Sequence, residues 1–426
     1  MALTTTKEYR NQVMYSIYVR NYSAEGTFEA VRRDLPRIRK LGVDIIWLMP
    51  IHPCGTKCRK GTLGSPYAIS DYRAVNPEFG TLEDFKRLVN AIHAEGMKCI
   101  IDVVYNHTSP DSVLAQEHPE WFYRKANGEP GNRIGDWSDV IDLDYGNRAL
   151  WDYQIETLKQ WASIVDGFRC DVAPLVPLAF WQEARRAVST VRPDCIWLSE
   201  SVEPCFITGT RAEGIPSLSD SEIYQAFDIC YDYDIFFDFL SYLKGEIPLS
   251  QYAEAVNRQE YIYPDNYVKL RFLENHDNNR AKQLIPDARS LRNHTALLYF
   301  QKGMTLLYAG QEVEATHTPS LFDKDTVRWD TGHDLTPLLH RLYEIKKHPL
   351  FTDSSYQVRA LPHDIVLATH QKQGKQLVGV FSLRGEAGLL PVSLPDGQYR
   401  DLLSGGIIEV RAGRFGCNGE PVIFEV

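Results

Sequence analysis

Val165-Asp-Gly-Phe-Arg-Cys-Asp-Val172 is a short strand-like run of apolar residues interrupted by Asp166 near its start and by Arg169 and Asp171 near its end. Seven further runs share its length and character: Val13–Val19, Val43–Met49, Met97–Val104, Cys195–Ser199, Ala226–Tyr231, Val268–Leu273 and Met304–Ala309. Segments with helical periodicity lie between many of them: Thr27–Leu41, Thr81–Glu95, Leu150–Ser163, Phe180–Val191 and Ala288–Lys302. Apolar strands alternating with helices predict a parallel sheet buried on both faces. Eight of them predict an α/β fold of the (β/α)8 TIM-barrel type. No Gly-x-Gly-x-x-Gly follows the first run, which argues against a dinucleotide-binding sheet.

Two segments break the alternation. Residues 106–147 contain a stretch rich in Pro, Gly and Asp, including Ala126-Asn-Gly-Glu-Pro-Gly-Asn132. That is too long for an ordinary βα loop, so it is expected to be a small inserted subdomain after the third strand. From Tyr356 onward short alternating strands follow turn signals such as Pro395-Asp-Gly397 and Ser404-Gly-Gly406. The expected division is a barrel over 1–105 and 148–350, the insertion over 106–147, and a C-terminal β-sandwich over 351–426.

Composition narrows the partners. The 426 residues carry 46 Lys and Arg against 56 Asp and Glu, a net charge of −10. With no basic block, this argues against nucleic acid. No apolar stretch is long enough for a membrane span, and the first residues lack a signal-like apolar region. A cytoplasmic protein is the expectation, although a trimmed secreted chain reads the same. Cys99, Cys170 and Cys195 fall inside apolar runs as expected of buried free thiols, while Cys54 and Cys58 could form a loop disulfide or half a zinc site.

In a (β/α)8 barrel the reacting groups gather at the C-terminal ends of the strands. Here those ends read Asp102-Val-Val-Tyr-Asn-His107, Gly167-Phe-Arg-Cys-Asp171, Trp197-Leu-Ser-Glu200 and Phe272-Leu-Glu-Asn-His-Asp277. Each signal alone has a bland explanation, since a single Asp closing a strand is usually a cap or turn residue. Arg169 and Asp171 are different, because residues two apart on a strand share a face. On a barrel interior an unpaired charge is very costly, so the pair implies a purpose. Glycoside hydrolysis uses such a cluster: a carboxylic acid protonates the leaving oxygen and a nearby carboxylate attacks the anomeric carbon.

These four segments, in this order, resemble the four signature regions of glycoside hydrolase family 13, the α-amylase family. Val43–Ile51 is similar to the family's second strand, and Ser65-Pro-Tyr-Ala-Ile-Ser-Asp-Tyr72 with Asn76-Pro-Glu-Phe-Gly-Thr81 is similar to the family's segment after that strand. The resemblance implies Asp171 as nucleophile, Glu200 as general acid/base and Asp277 as a third carboxylate that binds sugar hydroxyls. Arg169 is implied to position and ionise Asp171, His107 and His276 to bind the reacting sugar, and Tyr67 to lie beneath it. Arg280 is a further candidate contact to a terminal sugar. Asn106 and Asp142 fall where many relatives bind a structural calcium, with a carbonyl near Leu175 as another ligand. The expectation is nevertheless that no metal is required.

Three departures qualify the likeness. Pro174 and Leu175 stand where many amylases have Lys-His, and Tyr18–Gly26 lacks the Asp-rich calcium loop of the oligosaccharide-cleaving branch. Ala68 follows Tyr67 where exo-acting relatives usually have Asp, which leads to an expectation of cleavage within the chain. The expected reaction is retaining hydrolysis of α-1,4-glucosidic bonds in starch or maltodextrin. The alternatives are an α-glucosidase or α-glucan transglycosylase using the same site and, more remotely, a non-catalytic carbohydrate-binding relative.

Overall fold

Each of the eight apolar runs forms a strand, and in each the hydrogen-bonded core is shorter than the apolar stretch at one or both ends. The computed structural model describes residues 5–135 and 137–426. The strands are β1 (Val13–Ile17), β2 (Ile45–Leu48), β3 (Lys98–Val103), β4 (Gly167–Cys170), β5 (Ile196–Ser199), β6 (Ile229–Tyr231), β7 (Lys269–Arg271) and β8 (Met304–Tyr308). They run parallel in chain order around a closed barrel, and β8 returns to pair with β1. Apart from Lys98, their residues are buried, as a sheet covered on both faces requires.

The helical segments appear close to their expected limits, fixed by local capping. Thr27 caps Phe28–Leu41, which ends at Gly42 with φ 86°. Thr81 and Asp84 form a reciprocal capping box at the start of Leu82–Ala94. Strand β7 departs from the apolar pattern, since Lys269 and Arg271 are fully buried. Lys269 pairs with Asp220 and Asp234, and Arg271 with Asp232 at 2.8 Å, so each charge is compensated beside the wall.

Between β3 and β4 the chain makes the expected excursion. A two-stranded antiparallel ribbon, His107–Thr108 with Ile141–Asp142, sets His107 opposite Asp142. The C-terminal segment holds two four-stranded antiparallel sheets. One is Ser355–Leu361, Ile365–Lys372, Lys375–Ser382 and Val422–Glu425; the other is Gly388–Pro391, Arg414–Cys417, Ile407–Arg411 and Gly397–Arg400. Alternation divides their contacts. Ile365, Leu367, Val378 and Val380 pack with Leu390, Val410 and Phe415 between the sheets. Val366, Ala368, Leu377 and Phe381 join the barrel's own core. Among the described residues no helix is long and apolar enough to cross a membrane.

Candidate active site

Strand register builds the centre of the site. Asp102 on β3 lies opposite Arg169 on β4, and both are fully buried. Arg169 Nη1 donates to both oxygens of Asp102, at 2.9 and 3.1 Å, and to Asp171 Oδ1 at 2.8 Å. Nη2 lies 2.9 Å from Glu200 Oε1, just beyond β5, as a contact between charges that is not aligned as a hydrogen bond. The rings of Trp47, Tyr67 and Tyr231 surround the guanidinium at 5.2–5.6 Å, and Arg169 Nε donates to the Tyr231 hydroxyl.

One cation facing three carboxylates cannot neutralise all of them. Burial alone would depress Arg169, but Asp102 and Glu200 lift it well above its ordinary value, so it stays charged. Burial pushes Asp102 up to about 8 despite the pull of Arg169. Arg169, whose guanidinium does not deprotonate in proteins, carries the positive charge of the cluster. Glu200 rises well above the ordinary carboxylate range, first through burial and then through Asp171 and Asp277. Both influences favour the protonated form of Glu200.

The backbone is bent to serve the same group. Val172 adopts φ 38°, ψ 41°, a left-handed conformation that β-branched residues strongly disfavour. In that position its N–H donates to Glu200 Oε2 at 2.7 Å. Strain of this kind costs on the order of 1–3 kcal/mol and persists where the surroundings enforce it.

Above this layer opens a cleft of about 470 Å³ whose lining includes Tyr67, His107, Asp171, Glu200, His276 and Asp277. Tyr67 and His276 stack at 5.6 Å, and the Tyr67 hydroxyl meets His276 Nε2 at 2.6 Å. Burial lowers the His276 pKa, favouring the neutral ring, and Asp277 Oδ2 stands 3.2 Å from Nε2. His107 Nε2 lies 3.8 Å from Asp171 Oδ2, and its ring packs on Trp137 at 5.2 Å.

Not every sequence candidate reaches the cleft. Arg280 is fully buried behind the rim, bonded to Glu274 at 2.6 Å and to the carbonyls of Ala309 and His317. It braces the loop after β7 and does not line the cleft. Ala68 is buried beside Tyr67, its N–H on the Ser65 carbonyl and its own carbonyl accepting from Gly55, and it too stays out of the lining.

The calcium candidates do not fit a calcium ion. Asp142 Oδ2 accepts the Arg133 N–H at 2.8 Å and faces the Arg133 guanidinium at 3.4 Å. Asp142 Oδ1 is buried without a partner, and Asn106 Nδ2 is turned to His107 Nδ1 at 3.1 Å. Calcium asks for six to eight oxygens, and a guanidinium on the one carboxylate opposes it. Among the described residues no three His, Cys, Asp or Glu side chains converge as a metal site. Cys54 and Cys58 are free thiols, with Cys54 Sγ accepting from buried Arg20.

Sequence reasoning missed Asp102 as part of the charge cluster, and Trp137, Lys60, Phe206 and Phe237 as cleft-lining residues. Asp102 was findable, because an acid closing one strand beside an arginine on the next implies a cross-strand pair. The others come from loops whose placement only the folded chain shows.

Comparison with known proteins accords with this geometry. Residues 11–349 match the family "Alpha amylase, catalytic domain", and residues 357–424 match "Bacterial Alpha amylase C-terminal domain". The crystal structure of an α-amylase from Lactobacillus plantarum is 50% identical, covers 99% of this chain and 100% of its own, and superposes with a TM-score of 0.97. A noncanonic maltogenic α-amylase, AmyB from Thermotoga neapolitana, is 32% identical over 98% of this chain and 99% of its own, with a TM-score of 0.87. The α-amylase MalA of Haloarcula japonica is 27% identical over 93% of this chain, which spans 58% of that relative's length. An α-1,4-glucan:maltose-1-phosphate maltosyltransferase from Myxococcus xanthus is 32% identical over 45% of this chain and 32% of its own length. With one family spanning the barrel, its companion domain spanning the sandwich, and half the residues shared end to end with a crystallised amylase, this chain belongs to the α-amylase family and is a glycoside hydrolase of α-amylase type.

Proposed function

We propose that the protein hydrolyses α-1,4-glucosidic bonds of starch, maltodextrin or related α-glucans with retention of anomeric configuration. The observation that carries this reading is the sharing of one guanidinium by Asp171 and Glu200, Nη1 on the first at 2.8 Å and Nη2 on the second at 2.9 Å. Two carboxyl groups on adjacent strands, gripped by the two arms of one side chain, favour the close spacing of a nucleophile and an acid over the wider gap that an intervening water needs.

In this reading Glu200 gives its proton to the leaving glycosidic oxygen while Asp171 forms a bond to the anomeric carbon. Glu200, now a carboxylate, then takes a proton from water as that water displaces Asp171, and the enzyme is regenerated. Asp277 and His276 receive hydroxyls of the flattened ring, and Tyr67 offers its face beneath it. The Val172 N–H steadies the Glu200 carboxylate in the half-reaction where it carries charge.

A second reading, transfer of the glycosyl group to another sugar, draws on the maltosyltransferase relatives and on Phe206 and Phe237, which line the cleft beyond Glu200. Proton NMR of fresh products from maltohexaose tests both. The α-anomer appearing first supports retention; an initial β-anomer refutes it. Products longer than the substrate would favour transfer over hydrolysis.

A further inference from the structure

The general acid assigns the two ends of the cleft. Glu200 must face the leaving oxygen, so Val202, Glu203 and Phe206, which follow it, and Phe237, after β6, flank the reducing-side portion of a bound glucan. In the barrel order β1 and β2 stand across from β5 and β6. The lining residues opposite are Lys60 from the loop after β2, Asp139 from the insertion, and Leu321 and Phe322 from the loop after β8. These face the non-reducing side.

Those three segments are bound into one wall. Lys60 Nζ meets Asp139 Oδ1 at 3.0 Å, and Asp139 is almost fully buried. Two residues on, the Thr62 N–H and hydroxyl both donate to Asp323 Oδ1 at 2.8 and 2.7 Å, and the Leu63 N–H donates to the Phe322 carbonyl at 2.9 Å. Gly61 has φ 62°, and a Cβ there would stand 2.5 Å from Phe322 Cβ, so the two loops touch. Buried Arg20 donates to the carbonyls of Gly64 and Leu321, tying the same loops from below. At the other end of the loop, Thr56 and Lys57 backbone N–H groups donate to Asp111 at the root of the insertion.

We propose that this wall, clasped by Lys60 and Asp139, closes the non-reducing end of the cleft, so that the enzyme trims α-glucans from that end and releases short products of fixed length. The inference rests on the α-glucan hydrolysis proposed above. An uncharged glucan gives Lys60 no anion to bind, and its ammonium is engaged with Asp139 across the gap between loop and insertion. The Thr62–Asp323 and Arg20 contacts tie the loop after β2 to the loop after β8, whereas the Lys60–Asp139 ion pair ties the former loop to the cleft-lining part of the insertion.

The test compares maltoheptaose carrying a chromogenic aglycone with the same compound blocked at its non-reducing end. The variants are Lys60→Met, Asp139→Asn and the reversed pair Lys60→Asp/Asp139→Lys, with thermal midpoints measured alongside. Wild type is expected to cleave the blocked substrate at least tenfold more slowly and to release one dominant short sugar from the unblocked one. Lys60→Met is expected to bring the two rates within about threefold and to lengthen the products, and the reversed pair to restore the bias. Asp139→Asn, nearly isosteric, carries the same expectation if Lys60→Met fails to fold. Equal rates on both substrates in wild type, or a bias unchanged in the folded variants, overturn the wall. If wild type releases no sugar from unblocked substrate, the hydrolytic reading itself has failed.

Discussion

Replacing Arg169 by Met removes the guanidinium and keeps much of the stem. Asp102 loses both of its contacts below 3.2 Å, and Asp171 loses one at 2.8 Å. Asp102 lies at 0% exposure, where water cannot replace the cation, while Asp171 lines the cleft. Removing one partner of a buried charge cluster costs about 3–5 kcal/mol. In a chain of this size that lowers the thermal midpoint by roughly 5–10 °C. The loss should deepen with pH. Asp102 in the folded chain already titrates near 8, above its ordinary 3.8, so its contribution to stability is fullest below 3.8 and is lost as pH rises through 8. Without Arg169 only the Tyr67 hydroxyl, 3.2 Å from Asp102 Oδ2, is left to oppose that trend. Adding Asp102→Asn to the variant removes the buried carboxyl left without its guanidinium and should recover about half of the lost midpoint without recovering activity. Differential scanning at pH 5, 7 and 8 measures all of this. A single variant melting within 2 °C of wild type at pH 7 would refute the view that one cation holds the cluster together.

Asp171→Asn and Glu200→Gln should each lower turnover on maltohexaose by roughly a thousandfold or more, with midpoints equal to or above wild type, because charge-dense sites trade stability for function; a tenth of wild-type activity left in Asp171→Asn would show the nucleophile to be another residue. The raised pKa of Glu200 keeps the acid protonated beyond the ordinary carboxylate range, so kcat/KM should persist above that range and fall only as pH rises through the elevated value; a fall complete by pH 5 contradicts it. Arg280→Gln should cost about 3 kcal/mol by breaking the buried pair with Glu274, leaving KM within twofold; a large KM rise without destabilisation would return Arg280 to the cleft. Chelator should leave midpoint and turnover unchanged, whereas Arg133→Gln should lower the midpoint because Asp142 then has no counter-charge; a chelator-induced drop of many degrees reverses that account.

The barrel was legible because its strands are buried on both faces and so are written as apolar runs, and because Thr27, Thr81 and Gly42 mark helix ends by chemistry any chain must obey. The pair Arg169 and Asp171 was legible for a related reason: strand periodicity alone puts both on one face. Arg280 and Ala68 were not. Their sequence positions, close to Asp277 and Tyr67, suggested the cleft, but which way a rim residue turns depends on partners far away, such as Ala309 and His317 for Arg280. Lys60 and Trp137 carried no local signal either, since a loop lysine and a loop tryptophan are ordinarily surface and core. The strained turn at Val172 was equally silent, because no propensity favours a valine there.

The insertion supplies more than a wall. His107 reaches Asp171 from the first strand of a ribbon whose second strand ends at Asp142, and the two residues are direct partners in that ribbon. Arg133, its ring contact with Tyr123 at 4.3 Å and its bond to Asp142 therefore lie one residue pair away from a side chain at the reacting centre. A cation covalently attached to the insertion holds its carboxylate at any ionic composition of the surroundings. An ion drawn from solution holds it only above its dissociation constant. The Arg133–Asp142 pair fixes the insertion within itself, and the Lys60–Asp139 pair ties it to the loop after β2, so charges of the insertion act at the edge of the cleft that the strands' carboxylates occupy.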